Sequence, residues 1–439
     1  MNTDPRDTLA RAPMSRMQLV VWLITVGLNG LDGYDVLAIS FASPGIAKEW
    51  GIDRAVLGSL LSMELLGMGL GSIMLGGVAD RIGRRPMTLA CLATMATGMI
   101  MATTAKGIAD LSVWRVVTGF GIGGILPTIN AVAAEFTNAR RRDLCISILG
   151  IGYPVGAVIG GSIAAVLLRE HDWRSVFLLG AVATACFIPI VAWCMPESVA
   201  WLCERQPRGA LERVNRTLSR MRHAVIAALP PRAPDVRQRS VVDIFRAGLA
   251  RTTVLTTLAY ALHITTFYFI LKWVPKIVVD MGFAPSSAAG VLVWANVGGA
   301  TGGAVLGLLS QRCGVKPLTM LVLVVSTVMV AVFGRGPADL QQLSIICAVT
   351  GFFTNAGVVG IYAILVQAFP THVRATGTGF AVGMGRGGSV LAPIIAGSLF
   401  EAGFALQTVA LIMGAGSLIA AAALSLLRLR SGAAVEGSG

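Results

Sequence analysis

Twelve separate runs of about 18 or more mostly apolar residues recur along the chain, and each is long enough to cross a bilayer as a helix. They lie near 17–41, 55–79, 87–105, 111–134, 143–168, 174–195, 250–272, 287–309, 317–334, 340–366, 377–400 and 404–427. A chain built this way can bury itself only in lipid, because spans this close together leave little sequence for an independent soluble core. Only 13% of residues are charged, against about 25% in an average soluble protein, and mean hydropathy is +0.75. The expected fold class is an all-α membrane protein with twelve transmembrane helices. The polar start MNTDPRDTLARAPMSRMQ reads as a tail, 1–16, ahead of an uncleaved first span. The seven cysteines are dispersed, with no metal-ligand spacing, and read as small apolar filler; no metal or other cofactor is expected.

The net charge of +13 could suggest nucleic acid, but its distribution argues for orientation instead. With the N-terminus placed in the cytoplasm and sides alternating, inside segments hold 25 Lys and Arg and outside segments hold 7. That asymmetry is the positive-inside rule, and it places both termini in the cytoplasm. No nucleic-acid partner is expected.

The segment 196–249 breaks the alternation. It is rich in arginine, carries Pro230 and Pro231, and reads as a cytoplasmic linker between an N-terminal six-helix half, 17–195, and a C-terminal half, 250–427, with a tail at 428–439. An internal repeat supports this division. Offset by 231 residues, Pro44 falls on Pro275, Gly51 on Gly282, Gly67 on Gly298, Gly71 on Gly302 and Pro86 on Pro317, with 11 identities over 43 positions. Parallel six-helix repeats of this kind mark transporters whose halves rock about a central site.

The loop after span 2 reads GGVADRIGRRP, Gly76 to Pro86, and its repeat reads GLLSQRCGVKP. Gly76, Asp80, Arg81, Gly83, Arg84 and Arg85 form a pattern that resembles the signature loop of the major facilitator superfamily, which implies that fold and a cytoplasmic gate. Glycines permit the tight turn; Asp80 can pair with arginines or cap a helix N-terminus and hold the inner side shut. Gln311 stands at the aspartate position of the second copy, so that gate should be weaker.

Charges inside spans are costly and mark function by default. Asp32 and Asp35 in NGLDGYDVLAISF stand at i and i+3, on one helix face. Two adjacent carboxylates in a low-dielectric site cannot both stay ionised cheaply. A carboxylate that loads a proton on one side and releases it on the other couples transport to a proton gradient. Gly33 between them should loosen the helix and admit water. Glu64 in span 2 is a further candidate, as a titrating or a lining group.

LDGYDVLAISF resembles the Asp-Gly-Tyr/Phe-Asp motif in span 1 of the aromatic acid/proton symporter family within that superfamily, and the likeness extends over essentially all twelve spans. It implies that Asp32 and Asp35 are required for uptake of benzoate-like acids. WRVVTGFGIGG with Arg115 and GMGRGGSVLAP with Arg386 match that family's arginine positions in spans 4 and 11. A substrate carboxylate needs a forked cation in an apolar slot. Arg115 is expected to pair with the span-1 acids, or else to brace span 4 or snorkel. Arg386 is a candidate for the substrate carboxylate, or else a brace between spans 10 and 11.

Lys272 lies near the outer end of span 7 and should snorkel to the interface; otherwise it marks a different substrate. His263 occupies the repeat position of Asp32 and reads as hydrogen-bonded packing or as a relay. Tyr34, Tyr260, Phe267, Tyr268, Trp294 and Tyr362 could stack on a ring or simply pack. Trp50, Trp114 and Trp173 read as interface anchors. The run GIGYPVGAVIGG in span 5 resembles, in a looser form, the superfamily's glycine-proline motif, which is strongest among antiporters, and that resemblance implies uptake over efflux. The competing readings are a carrier of a non-aromatic organic acid (a muconate, lactone or sugar acid) and a membrane receptor. Enzyme chemistry is not expected: GFGIGG lies inside an apolar helix, not between strand and helix. The expected partners are a small aromatic carboxylate, protons and membrane lipid, with a monomer as the working unit in a multi-pass plasma membrane, here a bacterial inner membrane.

Overall fold

A computed structural model of the chain describes residues 4–231, 244–245, 249–336, 339–370 and 373–427. The C-terminal tail 428–439 and most of the second half of the linker lie outside the described residues. A short helix, α1 (Pro5–Arg11), precedes α2 (Arg16–Trp50), α3 (Arg54–Ile82), α4 (Arg84–Thr103), α5 (Ile108–Phe136), α6 (Arg142–Glu170) and α7 (Arg174–Cys194). Two short helices follow, α8 (Val199–Arg205) and α9 (Ala210–Arg220). The remainder comprises α10 (Ala250–Asp280), α11 (Pro285–Cys313), α12 (Val315–Phe333), α13 (Leu340–Ala368), α14 (Arg374–Glu401) and α15 (Leu406–Ser425). Among the described residues, twelve helices, α2–α7 and α10–α15, are long and apolar enough to cross a membrane. They coincide with the twelve expected spans. The largest extension is at α2 and α10, which run on through Pro44 and Pro275.

Two compact units emerge. The first comprises Met1–Trp50 and Met63–Val236; the second comprises Gly51–Ser62 and Arg237–Gly439. The expected linker therefore starts as part of the first unit. The outer turns of α3 join the second unit, where Arg54 bonds Asp280 at 3.0 Å and Ser62 donates to the Val390 carbonyl at 2.7 Å.

Each unit repeats the same pairing of helices. In the first, α2 packs on α6, α4 on α5, and α4 on α7; in the second, α10 packs on α14, α12 on α13, and α12 on α15. Two of the glycine pairs that revealed the repeat, Gly67 with Gly298 and Gly71 with Gly302, let helices meet. A Cβ at Gly67 or Gly71 would fall 2.2 or 2.1 Å from a backbone carbonyl of α5, and one at Gly298 or Gly302 would fall 1.8 or 2.1 Å from one of α13. In lipid, where apolar side chains gain nothing by leaving solvent, such close backbone approach supplies much of the association.

The α2–α6 seam is equally tight. A Cβ at Gly156 would lie 1.8 Å from the Gly30 oxygen, and one at Gly33 would lie 2.0 Å from the Tyr153 oxygen. Gly33 is thus a packing glycine wedged against α6, not the loosened, wetted turn expected from sequence. Gly156→Val should lower stability by about 3 kcal/mol, the upper end for overpacking, because a backbone atom cannot rotate away. Gly150→Val on the same helix, where nothing lies within 4 Å, should change little. Melting temperatures of the two variants in detergent check this.

Candidate functional site

The polar residues of α2 are tied to its neighbours. Gln18 donates to the Phe136 carbonyl at 3.0 Å, Asn29 to the Leu149 carbonyl at 2.6 Å, and Tyr34 to the Val176 carbonyl at 2.7 Å. Those bonds satisfy groups that lipid would leave stranded, and they set the rotation of α2. The rotation carries Asp32 and Asp35 to full burial. Tyr34 is thereby used in packing, its ring stacked on Phe41 and pressed against Gly160.

Arg115 is fully buried on α5 and does not snorkel. Its ion-pair partner in the first unit is Glu64 of α3, not a carboxylate of α2. Its Nη2 also donates to the Asp35 backbone carbonyl at 3.0 Å, Nη1 reaches the Met99 sulfur at 3.2 Å, and the guanidinium lies 5.1 Å from the Phe177 ring. So the expected Asp35–Arg115 pairing runs through the backbone. The Asp35 carboxyl receives only a long bond from Thr184, at 3.5 Å, and its Oδ1 has no hydrogen-bond partner. Three acids, Asp32, Asp35 and Glu64, and one arginine thus share the buried interior of the first unit.

In the second unit, Arg386 of α14 is partly buried, has a buried Nη1 without a hydrogen-bond partner, and forms no ion pair among the described residues. Gly385, the residue before it, packs against the Tyr260 ring, and the Tyr260 hydroxyl shares a 3.1 Å hydrogen bond with Tyr362. A guanidinium with spare donors beside two phenols can receive a carboxylate. Trp294 is half exposed on α11, and no hydrogen bond or ring contact joins it to this group.

Lys272 is fully buried, so the expected snorkelling does not occur. His263 is also fully buried; Nε2 lies 2.8 Å from the Thr354 carbonyl and Nδ1 2.9 Å from the Ser417 hydroxyl. A neutral imidazole with both nitrogens engaged fits the packing reading. Trp173 is no interface anchor: it is buried between Trp50 and Phe177, with its indole N–H bonded to Glu49 at 2.6 Å.

At the signature loop, Gly83 takes a φ of 108°, a conformation open mainly to glycine. Asp80 pairs with Arg84 at 2.5 Å, and Arg84 bonds Glu135 of α5 at 3.1 Å. Arg85 donates to the Ala192 carbonyl. Glu197, which sequence reasoning missed, accepts from the backbone N–H groups of Arg84 and Ser198 at 2.8 and 2.9 Å, capping α4. Trp201 and Arg205 of α8 each donate to the Asp80 carbonyl at 2.9 Å. PES, residues 196–198, just before α8, was the available signal. The second loop is sparser: Gln311 makes no side-chain hydrogen bond among the described residues, while Lys316 caps the end of α15 through the Leu427 carbonyl at 2.6 Å.

The chain matches the family model of the Major Facilitator Superfamily over residues 25–296 and 254–438. It is 26% identical to a gallate transporter of Pseudomonas putida over 424 residues, covering 96% of this chain and 94% of that protein. It is 27% identical to the 4-hydroxybenzoate transporter PcaK of Pseudomonas putida, with 88% and 87% covered. To the 3-(3-hydroxy-phenyl)propionate transporter of Escherichia coli (strain K12) it is 28% identical, with 93% and 94% covered. Its fold superposes on the inward open xylose transporter XylE from E. coli with a TM-score of 0.75 at 16% identity, covering 95% of this chain and 98% of that one. Twelve membrane-spanning helices, a duplicated six-helix pattern and a family match along almost the whole length agree: the chain is a multi-pass membrane transporter, not an enzyme, and belongs to the Major Facilitator Superfamily.

Proposed function

We propose that this transporter is a proton-coupled symporter that imports an aromatic carboxylate of the benzoate or hydroxybenzoate type by alternating access. The observation that carries the proposal is Asp35, a fully buried carboxyl with one unpartnered oxygen, set beside an arginine already engaged by Glu64. Such a group is poorly stabilised as an anion, and it serves as the proton carrier, with Asp32 on the same face and Glu64 holding Arg115. Arg386 binds the cargo carboxylate, with Tyr260 and Tyr362 beside it. The names of the relatives, which carry gallate, 4-hydroxybenzoate and a hydroxyphenylpropionate, support the aromatic class. Both termini are cytoplasmic, the Asp80 loop gates the inner side, the membrane is a bacterial inner membrane, and the monomer is the working unit.

The second reading is a non-aromatic organic acid. The complete burial of Lys272 favours it, since a second buried cation suits a dicarboxylate such as a muconate.

The deciding experiment is uptake into liposomes under an inward proton gradient, offering labelled benzoate, 4-hydroxybenzoate, gallate, gentisate and muconate, with a protonophore control. Accumulation of an aromatic acid that collapses with protonophore supports the symporter. Uptake of muconate alone moves the cargo to the second reading, and no accumulation by protein that binds an acid overturns symport. Arg386→Gln should raise the KM for the accepted acid about 10–100-fold, the weight of a charge-assisted hydrogen bond. An unchanged KM would remove Arg386 from the cargo site.

A further inference from the structure

The first unit carries a cavity of about 760 Å³ away from the buried acids. Arg16 from the first turn of α2, and Arg220, Arg222 and His223 from the end of α9, line it. No carboxylate does, and among the described residues none of the three arginines forms an ion pair. Apart from Ser15, its remaining wall is apolar, with Val20 of α2 and Cys194 of α7. Next to Val20 and Cys194 along α2 and α7, Leu19, Leu23 and Trp193 expose their apolar side chains.

Both walls are built structures. The Ala12 and Ala10 carbonyls accept from the Asn138 side chain and the Ala139 N–H at 3.1 and 2.9 Å, holding the approach to α2 against the α5–α6 turn. Ser15 and Gln18 bond each other's backbone N–H, closing the first turn of α2. On the other side, Asn215 bonds Ile226 through both its amide groups at 2.9 Å, and Met221 is buried beneath the loop. Arg222 is held at a φ of 62°, a left-handed backbone that a side-chain-bearing residue adopts only when its surroundings impose it.

We propose that this cavity binds the headgroup of an anionic glycerophospholipid, with the acyl chains lying over Leu19, Leu23 and Trp193. The cations supply forked donors for a phosphodiester, and the adjoining apolar face suits an amphiphile where a free phosphate would gain nothing from it. By the charge asymmetry of the loops, the site faces the cytoplasmic leaflet. The inference is independent of which acid the protein carries.

The test is native mass spectrometry of the full chain in mild detergent with added phosphatidylglycerol or phosphatidylethanolamine. Phosphatidylglycerol should be retained at least about tenfold better. Arg220→Gln with Arg222→Gln should erase the preference, while Arg208→Gln with Arg216→Gln, which removes the same charge outside the cavity, should leave it intact. Equal retention of the two lipids, equal loss in both double variants, or displacement of the lipid by millimolar glycerol phosphate would overturn the proposal. A second measurement needs no variant: phosphatidylglycerol should raise the melting temperature of the wild-type protein by several degrees, and an equal shift with phosphatidylethanolamine would count against the site.

Discussion

Replacing Arg115 with methionine should abolish uptake and cost about 3–5 kcal/mol of stability, the penalty for breaking a buried ion pair by removing one member. The group that loses this cation is Glu64, fully buried and ion-paired to Arg115. Two further attachments go with the guanidinium, the bond to the Asp35 carbonyl and the contact with the Phe177 face. The double change Arg115→Met with Glu64→Gln should recover most of the stability, because a buried ion pair replaced by apolar and neutral groups is often close to neutral overall. It should not recover uptake, since the backbone of the acid-bearing turn has lost its anchor. Thermal unfolding in detergent and liposome uptake, measured on the same preparations, separate the two effects. A double variant that transports normally would reduce Arg115 to a structural brace.

The second large effect concerns Asp35→Asn. Asparagine keeps the shape and the bond from Thr184 but carries no exchangeable charge, so gradient-driven accumulation should fall roughly a hundredfold, to background. Exchange of labelled for unlabelled acid across the liposome, which needs no net proton movement, should stay within about twofold of wild type. That pattern would assign Asp35 to coupling. Accumulation that persists in Asp35→Asn would pass the role to Asp32 or Glu64, and loss of exchange as well would make Asp35 part of the cargo site.

What could be read from the sequence was what depends on spacing along one helix. Span lengths, the i and i+3 relation of Asp32 and Asp35, and the 231-residue offset that pairs Gly67 with Gly298 all belong to that class. What could not be read depends on how helices rotate against each other. Glu64 and Arg115 stand on α3 and α5, and nothing in either segment says that they face. The same holds for Glu135 and Glu197, which meet Arg84 only because the ends of α3, α5 and α7 converge. Lys272 and Trp173 failed for a related reason. Position near a span end suggests an interface, but α10 and α7 extend or are covered there, and both side chains end up buried.

The α2–α6 seam has a mechanical consequence. Backbone meets backbone at Gly30, Gly33, Tyr153 and Gly156, so α2 cannot roll in its socket without separating the pair. Under the proposed coupling, gain or loss of a proton at Asp35 would therefore have no route through a twist of that one helix. The seam behaves as a weld, and any displacement of α2 that the proposed coupling requires would carry α6 with it as a single lever.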